Sequence, residues 1–280
     1  MWRNKTNKHL RHFVWFKQWL VEGYTLHQLA KQSGHSVSTI RRIIEYWLQQ
    51  PPPTPHPSLA RCVSAIVDGT FINRRKGILA VMNTVDHTML YGSYNVSEKP
   101  RDLGVLFQYL AEKGLSLKYG TIDGNPALSQ SLRQQWPHII LQRCLVHIQR
   151  QGLSWCRRTP KRTDAKHLRE IFLEVTAIHS QNDKEKFIQH VQAWEKTYGT
   201  RIAVTPEHGK VFSDIKRARS MLLTALPNMF HYLDNPLIAH STNALEGYFS
   251  RLKQRYRQHR GLSRCHRHTY FHWYLALCTH

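Results

Sequence analysis

The sequence is short of acid. Eighteen Asp and Glu stand against 40 Lys and Arg, leaving a formal charge of +22 before any of the 19 histidines takes a proton. Such an excess repels itself in a folded chain and attracts polyanions, so nucleic acid is the first partner to consider. Long apolar runs are lacking too. None approaches the roughly 18 residues that would cross a bilayer, which excludes a helical membrane protein. No signal peptide is expected, because Lys17 interrupts the apolar FVWFKQWL and no small-residue cleavage site follows. A cytoplasmic protein with no membrane partner is expected. The five cysteines (62, 144, 156, 265 and 278) are too few and odd in number for a disulfide framework, and reduced thiols are expected. With 41% hydrophobic residues and eight tryptophans the chain is not disordered, and 280 residues suggest two units at about 150 residues per domain.

The pattern along the chain divides it. Residues 1–50 read as small helices: an amphipathic stretch near 9–22 carries Phe13, Phe16, Trp19 and Leu20, and Thr25 with Gln28 forms a capping box. A helix to about Ser33, a turn at Gly34 and a second helix capped by Ser36 give the outline of a helix-turn-helix. Its second helix has Ile40, Ile43, Ile44, Trp47 and Leu48 on one face. Ser38, Thr39, Arg41 and Arg42 on that helix are the candidate DNA contacts. Two packed helices without a DNA role are the alternative. A proline-rich linker is expected over 51–59.

Beyond the linker the period becomes strand-like. CVSAIVDGTFI, GILAVMNTV and MLYGSYNVS read as three strands, followed by a helix in PRDLGVLFQYLAEKGL, a strand in LKYGTIDG, a helix capped by Asn125 with Pro126 behind it, and a strand in HIILQRC. Three consecutive strands followed by alternating strand and helix is the order of a ribonuclease H-like fold, an α/β mixed sheet flanked by helices. Residues 60–151 would form its first part, 152–235 a helical insertion with Leu168, Ile171, Phe172, Val175, Phe187, Val191, Trp194 and Tyr198 at helical steps, and 236–280 its last part.

In a chain so poor in carboxylates, their placement carries information. Asp68 follows the apolar AIV, Asp123 follows GTI, and Glu246 is the last acid before a strongly basic end. Each has a plainer reading. Asp68-Gly69 could mark a hairpin turn, and Asn243-x-x-Glu246 could be a helix-capping box. The turn reading is weaker for Asp123, because NPAL starts a helix. Capping does not account for the absence of other acids around Glu246, and a metal ligand facing a polyanion does.

Asp68 in VDGTF, Asp123 in TIDGNPAL, Cys144 and His147 in CLVH, and Glu246 in STNALEGYFSRLK together resemble the Mutator-type DDE transposases of bacterial insertion sequences, over about residues 60–280. The resemblance implies a ribonuclease H-like core with Asp68, Asp123 and Glu246 as catalytic metal ligands, and a helical insertion before the Glu. Three carboxylates suit Mg²⁺ or Mn²⁺, and two such ions about 3.5–4 Å apart serve in-line phosphoryl transfer. Water would first free a 3′-hydroxyl at the element's end, and that hydroxyl would then attack target DNA. The implied partners are double-stranded DNA, as terminal inverted repeats and target, and a second copy of the chain, as a homodimer or higher oligomer. The implied location is the nucleoid.

Cys144, His147 and Asn243 would lie beside the active site. Cys-x-x-His could also be half of a zinc site completed by Cys156 and His167. Cys265, His266 and His268 invite a metal reading as well, against a basic surface with an aromatic anchor. Arg251, Lys253, Arg255 and Arg257 read as phosphate contacts or as a solvated charged face. The rival functions are a metal-dependent nuclease that cuts without joining and a DNA-binding regulator derived from an inactive transposase.

Overall fold

The computed structural model describes residues 2–52, 57–73, 76–204, 209–259 and 261–279. The proline-rich segment expected at 51–59 falls partly on 53–56, outside the described residues. Helix α1 (Trp2–Lys17) continues into a π-helical turn at Gln18–Glu22 that Gly23 ends at φ 74°. A side chain at Gly23 would collide with Gln258, whose Oε1 lies 1.8 Å from the Cβ position. Helix α2 (Leu26–Ser33) opens with the anticipated capping box: Gln28 N donates to the Thr25 hydroxyl and Thr25 N donates to the Gln28 side chain. Gly34 ends α2 at φ 70°. The Ser36 hydroxyl then accepts from Thr39 N to start α3 (Val37–Leu48), which buries Ile40, Ile43, Ile44 and Leu48.

The strands are β1 (Ser64–Asn73), β2 (Lys76–Asn83), β3 (Met89–Val96), β4 (Tyr119–Ile122) and β5 (Ile140–Arg143), with α4 (Pro100–Glu112) before β4 and α5 (Pro126–Gln135) before β5. They form one mixed sheet in the order β3-β2-β1-β4-β5. β2 and β3 are antiparallel, and β4 pairs in parallel with both β1 and β5. The fold is mixed α/β. β1 runs straight through Asp68 and Gly69, in line with the strand read in CVSAIVDGTFI and against the hairpin-turn alternative there.

Contacts within the chain group residues 1–62, 67–116 and 244–280 as one unit, and 63–66 and 117–243 as the other. In the first unit, the N-terminal helices pack on α13 (Arg264–Leu277) through an aromatic cluster of Phe13, Phe16, Trp47 and Trp273. The Trp273 indole donates to the carbonyls of Trp47 and Gln50 at 3.0 and 3.1 Å. Buried His259 meets the Trp19 carbonyl through Nε2 at 2.8 Å. Leu275 lies against Gly92 of β3.

The second unit carries the helical segment: α6 (Leu145–Cys156), α7 (Thr163–Glu174), α8 (Gln181–Trp194), α9 (Thr200–Val204), α10 (Gly209–Ala225) and α11 (His231–Asp234). Leu168, Ile171, Phe172, Val175, Phe187, Val191 and Trp194 are all in its core, as their spacing suggested. Asp164 is buried there and accepts from Arg162, Arg201 and its neighbour's backbone N–H.

Candidate active site

Asp68 sits in mid-strand on β1, 6% exposed, where it follows buried Ala65, Ile66 and Val67. Its Oδ1 accepts from Gly69 N at 2.7 Å. Alternation along the strand puts Thr70 on the same face as Asp68 and Gly69 on the other. Two groups that sequence reasoning missed or placed elsewhere meet β1 here. The Glu98 carboxylate approaches Gly69, 2.7 Å from where a Cβ would be, and therefore lies over the face opposite Asp68. Lys253 Nζ donates to Thr70 Oγ1 at 2.5 Å, on the face of Asp68. Burial lowers the Lys253 pKa, and nearby Arg257 lowers it further.

Glu246 and Lys253 share α12 (Asn243–Gln258) and are two turns apart on one face. Glu246 occupies the first turn, its Oε1 shielded from solvent, on a helix that buries Leu245, Tyr248, Phe249 and Leu252. Asn243 is the helix's first residue and is exposed. Of the basic residues, Arg251 and Arg257 are exposed, while Arg255 is half-buried with its Cδ beside Gly23. The Arg251 guanidinium also stands over the Tyr248 ring, 5.9 Å from its centroid. On α3, Ser38, Arg41 and Arg42 are exposed and Thr39 is half-buried. The Arg42 guanidinium donates to Thr39 Oγ1 at 3.3 Å.

Asp123 directly follows β4, and its Oδ1 accepts from Asn125 N at 2.9 Å. Asn125 caps α5 by accepting from Ala127 N and Leu128 N, with Pro126 next as expected. Gly124, at φ +100°, has the Arg143 guanidinium packed against it, 1.9–2.2 Å from where a Cβ would be. Arg143 donates to the Asp123 carbonyl at 3.3 Å. Burial lowers the Arg143 pKa, and Asp123 opposes that shift. This cation was passed over in the sequence, although Arg143 immediately precedes the Cys-x-x-His motif.

Cys144 caps α6 and is fully buried. Thr242 N donates to its sulfur at 3.3 Å, and the Thr242 hydroxyl lies 3.5 Å from the sulfur and 3.3 Å from His147 Nδ1. Cys156 and His167 have other surroundings: Cys156 is in the helical core, where burial pushes its thiol to about 12, and His167 bonds Tyr198. Cys265 is exposed, and His268 stacks on His272.

Carboxylates at positions 68, 123 and 246 have the donor chemistry of a hard divalent cation. Asp68 and Glu246 belong to one unit and Asp123 to the other. Among the described residues, no group of three His, Cys, Asp or Glu side chains stands ready to hold a metal ion, for zinc or for magnesium.

A family model described as "Transposase, Mutator family" matches residues 94–262, more than half of the chain. The chain belongs to the Mutator family of transposases. The part of this Mutator-family chain that matches includes Asp123, Cys144, His147 and Glu246, while Asp68 precedes it. No curated protein matches it. Membership implies a DNA-processing enzyme with DNA as its partner. Among the described residues no helix is long and apolar enough to cross a membrane.

Proposed function

We propose that this chain is a DNA transposase that binds the inverted-repeat ends of an insertion sequence, cuts them to free 3′-hydroxyls and joins those to target DNA. The family match carries this reading, since it spans two of the three carboxylates and the whole helical segment between them. The strand order β3-β2-β1-β4-β5 supports a ribonuclease H-like core. So does the parallel register that pairs Ile66 with Thr121, each two residues ahead of an Asp.

In this reading Asp68, Asp123 and Glu246 hold two Mg²⁺ or Mn²⁺ ions. When bound, these ions supply Lewis-acid activation of the attacking oxygen and neutralise the leaving one. The protein's own groups do the positioning. Backbone N–H groups of Gly69 and Asn125 orient the two aspartates. Lys253 ties α12 to β1 at Thr70. Arg251 and Arg257 face solvent, where a DNA backbone can reach them, and their charge, with the net +22, favours the polyanion. The capped pair α2 and α3 acts as the helix-turn-helix, presenting Ser38, Arg41 and Arg42 to the element's ends. Two ends must meet for joining, so the working form is at least a dimer.

The test is incubation with labelled duplex carrying the inverted repeats that flank the gene, with Mg²⁺ or Mn²⁺. Nicked 3′ ends followed by joined products are expected. Asp68→Asn, Asp123→Asn and Glu246→Gln are expected to abolish cutting while retaining the gel shift. A gel shift without cutting in any metal overturns the enzyme reading in favour of a regulator, and cutting without joining leaves a nuclease.

A further inference from the structure

The segment leading into α12 is fastened by donors from three separate elements. Ser64 of β1 donates its hydroxyl to the Leu237 carbonyl at 2.5 Å, and Thr121 of β4 donates to the Ala239 carbonyl at 2.7 Å. Leu145 N, at the start of α6, donates to the His240 carbonyl at 3.0 Å. Thr242 N closes the series on the Cys144 sulfur at 3.3 Å. Ser64, Thr121 and Thr242 are 3%, 1% and 0% exposed. A buried hydroxyl costs stability unless it is paired, so hydroxyls from two strands aimed at one short segment specify where that segment lies.

The last of these contacts is a small network. The Thr242 hydroxyl lies between His147 Nδ1 and the Cys144 sulfur, so it can accept from the imidazole and donate to the sulfur. Burial raises the Cys144 pKa, but hydrogen bonds from His147 and Thr242 outweigh it and leave the thiol below its ordinary value, as fits a sulfur that serves as acceptor.

We infer that Cys144 and His147 act through Thr242 as positioning residues for Glu246. They latch the residue from which α12 departs, and Glu246 follows four positions later in the helix's first turn. The Cys-x-x-His motif then needs no zinc: its sulfur and imidazole are occupied in holding a hydroxyl. The inference rests on the transposase reading, in which a misplacement of about 1 Å at a catalytic group can cost about 100-fold in rate.

Thr242→Val removes the hydroxyl at nearly constant volume, and Thr242→Ser keeps it. The full chain of each variant is compared with the wild type by hydrogen exchange over peptides spanning 237–250, without DNA. Rate of end cleavage and half-saturating Mg²⁺ concentration are measured alongside. Thr242→Val is expected to speed exchange in those peptides, to slow cleavage about 10- to 100-fold and to raise the Mg²⁺ requirement, and Thr242→Ser to restore all three. If Thr242→Val does not fold, Thr121→Val is read in the same peptides with the same expectation. Unchanged exchange overturns the latch. Faster exchange with unchanged cleavage overturns its positioning role, as does a Thr242→Ser variant as impaired as Thr242→Val. A wild type that never cuts overturns the transposase reading instead, and exchange alone then decides whether the latch exists.

Discussion

Gly152 lies where α6 crosses α7, and the effect of adding one methyl there can be worked out. An alanine Cβ would stand 2.3 Å from Cδ1 and Cε1 of Phe172 and 2.5 Å from its Cγ. Carbon atoms settle near about 3.5 Å, so the ring must retreat by about 1.2 Å. Phe172 is fully buried in a core with Leu168 and Ile171, and such cores have little spare volume. Two effects compete. Alanine favours a helix interior over glycine by about 1 kcal/mol, and forced overpacking costs about 1–3 kcal/mol. A retreat this large belongs at the upper end of that cost, so the clash is expected to win by about 2 kcal/mol. Gly104 in α4 is the control, because nothing lies within 4 Å of its Cβ position. Gly104→Ala should therefore keep only the helical gain, stabilising by about 0.5–1 kcal/mol. Thermal unfolding reads both, with about 2–4 °C expected per kcal/mol for a chain of this order of size. Gly152→Ala melting at or above wild type would refute the reasoning.

Other consequences can be checked in the same protein. Burial holds the His259 imidazole at about 4, against the opposing pull of the Trp19 carbonyl, and Arg255 lowers it further. Its folded pKa is below the unfolded value of about 6.5, so the folded state binds fewer protons in between. Stability should fall by about 3 kcal/mol as pH drops through that window. His259→Gln, which keeps an N–H for Trp19, should flatten this acid slope in melting curves. Trp273→Phe removes the donor to the Trp47 and Gln50 carbonyls and should cost about 1–3 kcal/mol, seen as a lower unfolding midpoint. Arg251→Ala and Arg257→Ala, if each residue meets a DNA phosphate, should each reduce the slope of log affinity against log salt by about 0.9. Unchanged slopes in binding titrations would return both residues to a merely solvated face.

Much of this protein is legible from the chain alone wherever a few neighbouring residues decide the outcome. Thr25 with Gln28, Ser36 with Thr39, and Asn125 ahead of Pro126 start helices by contacts three residues or fewer away. The spacing of Leu168, Ile171, Phe172 and Val175 declares a buried face before any partner is known. Scarcity draws attention to Asp68, Asp123 and Glu246, although it does not gather them into an ion-binding group. Asp68-Gly69 shows where local signals compete, since the dipeptide suits a turn while the apolar, β-branched run around it suits the strand that forms.

Tertiary structure decided what joins distant positions. Lys253 reads as one more basic residue until Thr70, 183 positions earlier, takes its ammonium. Cys144 and His147 are neighbours in the chain, but the hydroxyl that lies close to both comes from Thr242, 98 positions beyond Cys144. Trp273 finds its indole's acceptor at Trp47, 226 positions earlier. Periodicity and capping depend on the backbone's own geometry, which repeats every few residues, so the sequence carries them openly. The partner of a buried polar group depends on which strands pair and which helices cover them, and no local pattern records that choice.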